Sequence, residues 1–341
     1  MTEREPLRSG DLVDRVVNHG PYRAVVHTPA TGSTNTDLVA AAQAGAPAWT
    51  AHVTDHQTAG RGRHGRPWQA PEYSQVTLSV LVKPGAAALG RLGTLPLAAG
   101  LAVVDAVRDT VAALAAGDPS IGYARTMTED ERQRYNDQLA TARAHARRRP
   151  VPGDDCRVTG PEQGVYAADG LAADAGRYGI LGRLVPRLKW PNDALVGGRK
   201  ISGILAEAAN LTDDPAVVVG LGLNVSLRPD ELPVAHATSL DIAAAEQGLA
   251  LEVDRTAVCA QVLLSLHRRL SQWACGDPAL LGDYTRQSGT IGEKVTVYLP
   301  GDDTLTGTAT AVLPDGRLVV TDDNGRPVEV TAGDVAHLRQ A

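Results

Sequence analysis

Period-two alternation of apolar and polar residues over 76–82 predicts a strand. Short apolar runs at 22–28, 50–54, 187–190, 201–208 and 217–224 predict five more. Between the first two runs, Thr31-Gly-Ser-Thr-Asn-Thr-Asp37 is a turn rich in capping side chains. A helix over 38–44 follows it and stops at Gly45. The Ala- and Leu-rich run over 89–114 predicts a long buried helix. Residues 256–273 place Val258, Val262, Leu263, Leu266, Leu270 and Trp273 at helical spacing and predict an amphipathic one. Gly197-Gly198, between two apolar runs, is a hairpin signal. Beyond residue 283 the pattern becomes short strands at 295–299, 307–312, 318–321 and 328–330, joined by Asp-, Gly- and Pro-rich turns, as in a small β barrel. The expected fold class is α+β: a mixed sheet with helices over 1–282 and a small barrel over 283–341.

Residues 117–180 interrupt this pattern. Bulky apolar residues thin out there, while Gly, Pro, Asp and Arg accumulate. One helix is expected inside, at 128–149. Thr128 and Glu131 have capping-box spacing, acids crowd its start, and Arg147-Arg148-Arg149 crowd its end. The region reads as an insertion, flexible or loosely docked. Residues 1–20 read as a loose helical lead-in, too short for a helix-turn-helix domain.

Composition narrows the function classes. The 341 residues carry a formal net charge of −6, which speaks against broad nucleic-acid binding, since that needs a basic face. No run approaches the roughly 18 uninterrupted apolar residues of a membrane span. The charged start, Met1-Thr-Glu-Arg-Glu-Pro6, lacks the apolar core of a signal peptide. Cys156, Cys259 and Cys275 are far apart and odd in number, so neither a disulfide framework nor a zinc site is expected. A cytoplasmic protein fits these features. The chain has no Phe, and only Lys83, Lys189, Lys200 and Lys294 among its 33 basic residues are lysine.

Four segments carry candidate chemistry. In Gln57-Thr-Ala-Gly-Arg-Gly-Arg-His-Gly-Arg-Pro67, the glycines at 60, 62 and 65 let backbone approach a ligand, and Arg61, Arg63 and Arg66 offer forked donors to phosphate or carboxylate. The segment lacks the ending of a P-loop and the strand–helix setting of a dinucleotide fingerprint. An exposed arginine loop touching nucleic acid is the other reading, and His64 alone reads as a solvated loop residue. In Leu188-Lys-Trp-Pro-Asn-Asp193, a lysine ends an apolar strand, which is costly unless it meets an anion or reaches water. The scarcity of lysine favours the anion. Gly203, Gly220 and Gly222 lie within strands, where they open a slot for a flat ring or merely ease sheet packing. Ser33-Thr34-Asn35 precedes a helix, and N-capping is its ordinary role. No Gly-x-Ser-x-Gly elbow or Cys–His arrangement suggests a nucleophile.

Taken in order, Ser33-Thr34-Asn35, Gln57 ahead of Gly60-Arg-Gly-Arg-His-Gly65, Lys189-Trp-Pro-Asn-Asp193, Gly198-Arg-Lys-Ile-Ser-Gly-Ile-Leu205 and Gly220-Leu-Gly-Leu-Asn224 resemble the biotin–protein ligase family, enzymes that attach biotin to biotin-dependent carboxylases. The resemblance covers about residues 22–116 and 183–341. It implies a catalytic domain like those of class II aminoacyl-tRNA synthetases, followed by a small Src-homology-3-like barrel. It also implies a monofunctional member without the N-terminal DNA-binding domain, hence no repressor role and no DNA partner.

By that resemblance Ser33, Thr34, Asn35 and Gln57 hold the biotin ring. Arg61, Gly62 and Arg63 lie on the loop that orders over the adenylate, and Lys189 contacts the biotin carboxyl and the α-phosphate. Gly60, Gly65, Asn192, Asp193, Lys200, Gly203 and Asn224 lie near ATP, its Mg²⁺ or the ribose, with no protein ligands assigned to the metal. Lys189 and Arg63 are the catalytic candidates. The implied partner is a biotin carboxyl carrier protein or domain of an acyl-CoA carboxylase. No membrane partner is implied, and an exposed sheet would let two copies pair as a homodimer.

The implied chemistry suits these residues. Biotin's carboxylate attacks the α-phosphorus of ATP, giving biotinyl-5′-AMP and pyrophosphate, so two anions must be brought together by fixed cations. A carrier lysine then attacks the mixed anhydride, which a closing loop shields from water. A lipoate or other acyl–protein ligase of the same superfamily, and a nucleic-acid-binding protein using the arginine loop and barrel, are the alternatives. The insertion at 117–180 departs from the family pattern.

Overall fold

The computed structural model describes residues 4–148, 168–212, 214–299, 303–331 and 333–337. After α1 (Ser9–Val13), β1 (Ala24–Thr31), α2 (Thr34–Gln43), β2 (Thr50–Gln57), β3 (Gln75–Val82) and α3 (Leu95–Ala116) open the main unit. Then come β4 (Gly122–Thr126), α4 (Glu129–Arg148), α5 (Ala168–Tyr178), β5 (Arg187–Lys189), β6 (Asp193–Val196), β7 (Arg199–Asn210) and β8 (Ala216–Asn224). The unit closes with α6 (Leu240–Glu246), β9 (Leu249–Val253), α7 (Arg255–Cys275) and α8 (Ala279–Gln287). The strands β10 (Lys294–Tyr298), β11 (Thr304–Val312), β12 (Leu318–Asp322), β13 (Pro327–Val330) and β14 (Asp334–His337) complete the chain.

Seven strands form one mixed sheet in the order β1-β2-β3-β8-β7-β6-β5. Only β1 and β2 pair in parallel; the remaining neighbours are antiparallel. α3 and α7 pack together over one face, joined by the inward residues Val76, Leu78 and Val80 of β3 and Val217, Val219, Leu221 and Leu223 of β8. α2 covers part of the other face through Leu38, over Leu81, Ala216 and Val218. Both faces of β3 and β8 are therefore buried, which is why β8 reads as an almost unbroken apolar run. The stretch 86–116 is apolar and long enough to cross a membrane, but it is buried against α7 as the central core helix.

The five C-terminal strands form an antiparallel sheet, in the order β13-β12-β11-β10-β14, where the sequence predicts a small barrel. Its apolar residues Val295, Val297, Leu318 and Val335 continue the main core. Trp190 Nε1 donates to Gly316 O at 2.9 Å, and Gly289 N to Leu188 O at 2.7 Å. The candidate strand β5 and its turn are thereby tied to the C-terminal sheet and to the segment leading into it.

Two expectations change. The lead-in is docked rather than loose: Leu7 and Leu12 are buried, and Leu7 N donates to Asp55 Oδ1 at 3.0 Å. Residues 117–148, the described first half of the expected insertion, are also docked. β4 pairs antiparallel with β9, Ile121 enters the core, and α4 lays Leu139 beside Leu227, Leu232 and Ile242. The Thr128–Glu131 capping box forms as predicted, with Thr128 N donating to Glu131 Oε2 at 2.8 Å. The polarity of α4 concealed this docking, because it buries one narrow stripe. Arg149 and Cys156 lie outside the described residues.

Candidate active site

Along β8 the side chains under α2 stop at Gly220 and Gly222. A Cβ on Gly220 would lie 2.0 Å from Asn35 Oδ1, and one on Gly222 2.4 Å from Trp68 Nε1. Gly203 is the partner of Gly222 on β7, and there a Cβ would meet Trp68 at 3.0 Å and Lys200 at 3.1 Å. The slot that these glycines suggest in sequence is thus real, and the flat ring in it is the chain's own indole. β3 supplies the matching wall. Its core-facing positions are apolar, while Gln75, Thr77 and Ser79 turn buried polar groups to the α2 face. A small cleft opens there, lined by Asp55, His56, Gln57, Trp68, Ala70, Pro71, Gln75 and Thr77.

A chain of hydrogen bonds orients the acceptor and donor groups of this wall. Ser33 caps α2 by accepting from Thr36 N at 3.4 Å. Thr34 donates to Gln57 Oε1 from its backbone N at 2.9 Å and its hydroxyl at 3.1 Å. Its hydroxyl also lies 2.7 Å from Ser79 Oγ, which donates to Asn35 Oδ1 at 2.5 Å. Asn35 Nδ2 donates to Glu207 Oε2 at 2.6 Å and Leu205 O at 3.3 Å. With Oε1 engaged, the Gln57 amide keeps Nε2 for a partner outside this chain of bonds; among the described residues Nε2 has none. Both ends of the Asn35 amide are thus bonded to protein groups. Asn224 is engaged likewise: buried, it accepts from Gln75 Nε2 at 2.5 Å and donates to Thr238 O at 2.8 Å. Gln75 Oε1 in turn accepts from Trp68 Nε1 at 3.1 Å, so Asn224 reaches the cleft only through that glutamine.

Adding a methyl group at Gly220 should break the Ser79–Asn35 bond, because it would lie 2.0 Å from Asn35 Oδ1 and 3.1 Å from Ser79 Oγ. Gly220→Ala is expected to lower stability by about 1–3 kcal/mol, the usual cost of overpacking. A urea midpoint equal to that of the unsubstituted chain would show that Asn35 can swing aside.

The second half of the site is cationic. Lys189 and Asp193 face each other across the β5–β6 pair. Lys200 Nζ lies 2.7 Å from Asp193 Oδ1 and 5.5 Å from the Trp68 ring centroid. Burial alone would raise the Asp193 pKa, but Lys200 and Lys189 together hold it below the usual carboxylate range. Asp193 is therefore ionised and neutralises one lysine. The half-buried Lys189 ammonium has no hydrogen bond or ion pair of its own among the described residues. Two lysines around one carboxylate leave this group of three with a net positive charge.

The arginine loop lies beside these lysines. A bridge between Arg61 and Pro67 closes it, and Gly62 N donates to Arg66 O at 2.7 Å. His64 and Gly65 take positive φ of 56° and 72° at its tip. Gly60 is required where a Cβ would strike Trp68 O at 2.4 Å and Gln57 Nε2 at 2.7 Å. Arg63 Nη1 donates to Asn192 Oδ1 at 3.4 Å, while Asn192 Nδ2 donates to Ile204 O at 2.7 Å. The loop thus meets the Lys-Trp-Pro-Asn-Asp turn directly. Arg61 and His64 are exposed.

The tertiary structure brings Ser33, Thr34, Gln57, Gly60, Gly203, Lys189, Asn192, Asp193, Lys200 and Arg63 around one region. Sequence reasoning missed Trp68, Ser79, Gln75 and Glu207. A signal existed for two of them: Gln75 and Ser79 are, with Thr77, the polar residues of β3, all on its non-core parity. Among the described residues no group of three or more His, Cys, Asp or Glu side chains is arranged to hold a metal ion.

A model of the Biotin/lipoate A/B protein ligase family matches residues 28–161, and one of the Biotin protein ligase C terminal domain matches residues 290–338. The biotin–[acetyl-CoA-carboxylase] ligase of Mycobacterium tuberculosis is 34% identical over 345 residues, covering 99% of this chain and 100% of that protein. The bifunctional ligase/repressor BirA of Bacillus subtilis is 28% identical over 228 residues, covering 66% of this chain and 46% of that protein. Among solved structures, the biotin protein ligase from Aquifex aeolicus in complex with biotin and ATP superposes with a TM-score of 0.59 at 22% identity. That likeness of fold covers 94% of this chain and 100% of that one.

Proposed function

This chain belongs to the biotin protein ligase family, and we propose that its cleft is where biotin and ATP are joined as biotinyl-5′-AMP before transfer to a lysine of a carrier protein. The observation that carries the site assignment is Lys189, which makes no hydrogen bond or ion pair among the described residues, beside the Asp193–Lys200 ion pair. It is a fixed positive charge where two anions must approach.

Lys189 orients the biotin carboxylate toward the α-phosphorus and stabilises the charge that builds on the phosphate oxygens as pyrophosphate leaves. Arg63 covers the resulting adenylate. Ser33, Thr34 and Gln57 hold the ring end of biotin, their polarity set by Ser79 and Asn35, while Arg61 and Gly62 complete the covering loop. Asn192, Asp193, Lys200, Gly60, Gly65 and Gly203 line the nucleotide side, and Asn224 supports it through Gln75. Bound with the nucleotide, Mg²⁺ would offset phosphate charge; no protein ligand is assigned to it. The carrier's amine then attacks the mixed anhydride and AMP leaves, with no enzyme nucleophile required. We assign catalysis to residues 1–282 and a supporting sheet to 283–341, place the reaction in the cytoplasm, and take a biotin carboxyl carrier domain of an acyl-CoA carboxylase as the acceptor.

The test is acid-dependent exchange of labelled pyrophosphate into ATP, with biotin, lipoate and octanoate in parallel. Exchange with biotin alone is expected. Exchange with another acid would keep the chemistry and change the substrate, and no exchange from folded protein with Mg²⁺ would overturn the assignment.

A further inference from the structure

β14 brings a carboxylate to the arginine loop. Val335 points into the core, so its neighbour Asp334 projects from the opposite face of the strand. Arg66 Nη2 lies 2.6 Å from Asp334 Oδ2, and Arg63 Nη1 lies 3.7 Å from Asp334 Oδ1. Arg63 Nη1 also donates to the adjacent Gly333 O at 3.5 Å while reaching Asn192 on its other side. The loop is therefore held between the Lys-Trp-Pro-Asn-Asp turn and the small sheet. Nothing in the chemistry at Lys189 requires a carboxylate at this point, and Asp334 does not touch the cleft wall.

We propose that Asp334 is a positioning residue: from the small sheet it pre-orders the arginine loop over the site, acting through Arg66 and Arg63. The inference rests on the reading that this loop covers the adenylate, and it assigns the C-terminal sheet a part in retaining that intermediate. Two guanidiniums share one carboxylate, so an arriving phosphate can draw Arg63 away while Arg66 keeps the loop anchored. Asp334 is 39% exposed and Arg66 36%, so solvent screening keeps the effect modest.

The loop's own arginines provide the assay. Trypsin cuts after Arg61 and Arg63, whereas the Arg66–Pro67 bond resists it. In the full chain without ligands, Asp334→Asn is expected to speed these cuts about two- to fivefold, the range of an exposed ion pair. Arg66→Ala should do the same, and the double variant should cut no faster than the faster single one. Asp334→Glu should restore slow cutting. An unchanged rate in both single variants, or multiplied effects in the double, would overturn the proposal. If Asp334→Asn lowers the thermal midpoint markedly, Arg66→Ala reads the same contact from the loop side.

With biotin and ATP supplied, Asp334→Asn should leave pyrophosphate exchange within about twofold and raise the escape of biotinyl-AMP two- to fivefold. Escape at the unsubstituted rate would remove the functional role. Absence of biotin-dependent exchange in the unsubstituted chain would defeat the function assignment instead, while the proteolysis result still decides the latch.

Discussion

Lys189→Ala is expected to slow biotin-dependent pyrophosphate exchange by a factor of roughly 10²–10³, the usual loss when one fixed donor to developing charge is removed. The geometry makes this substitution informative. Lys189 is half-buried at the end of β5, with no hydrogen bond or ion pair among the described residues, so its removal orphans no partner. Asp193 keeps Lys200 at 2.7 Å and stays ionised. The urea midpoint should therefore shift by no more than about 1 kcal/mol equivalent, as for surface changes that break no network. A large rate loss with a preserved midpoint isolates the charge. Full exchange activity would make Lys189 an ordinary strand-end lysine, with Lys200 as the remaining cation.

Arg63→Gly should separate the two half-reactions. The first depends mainly on Lys189 and should survive, reduced by less than about tenfold. The second requires that biotinyl-AMP stay bound until the carrier arrives. Arg63 bridges Asn192 and Gly333, and a guanidinium hydrogen bond to a phosphate contributes about 1.5–3 kcal/mol. Its loss should speed escape of the intermediate by roughly ten- to a hundredfold. The added backbone freedom of a fourth loop glycine acts in the same direction. The check is biotin incorporation into an added bystander protein, alongside direct measurement of biotinyl-AMP release. Tight retention of the intermediate would contradict a covering role for this loop.

Much of the site was legible in the sequence because its demands are local. Gly65 takes a positive φ at the loop tip, which a glycine permits whatever surrounds it. Strand glycines at 203, 220 and 222 announced a close approach. The scarcity of lysine directed attention to Lys189 and Lys200, which the fold places on either side of Asp193. What approaches the glycines was not legible, since Trp68 and Asn35 arrive from a loop and a helix distant in sequence. Asn35 and Asn224 matched the motif, yet both amides bond to protein groups that sequence spacing cannot reveal. Residues 117–148 looked loose because few of their residues are apolar, while docking required only Ile121, Leu139 and one strand edge.

The sequence by itself determined the elements and their inward faces, because hydrophobic period and turn chemistry act over a few residues. It also determined which residues could bind anions, because charge and backbone freedom belong to the residue. Only the tertiary structure decided which of them meet. The sheet order sets β8 between β3 and β7, facing Gly220 toward Asn35 and Gly203 toward Trp68, and β14 brings Asp334 to the arginine loop. Such contacts join residues tens to hundreds of positions apart. Their energies depend on burial and geometry, which exist only once the chain has packed.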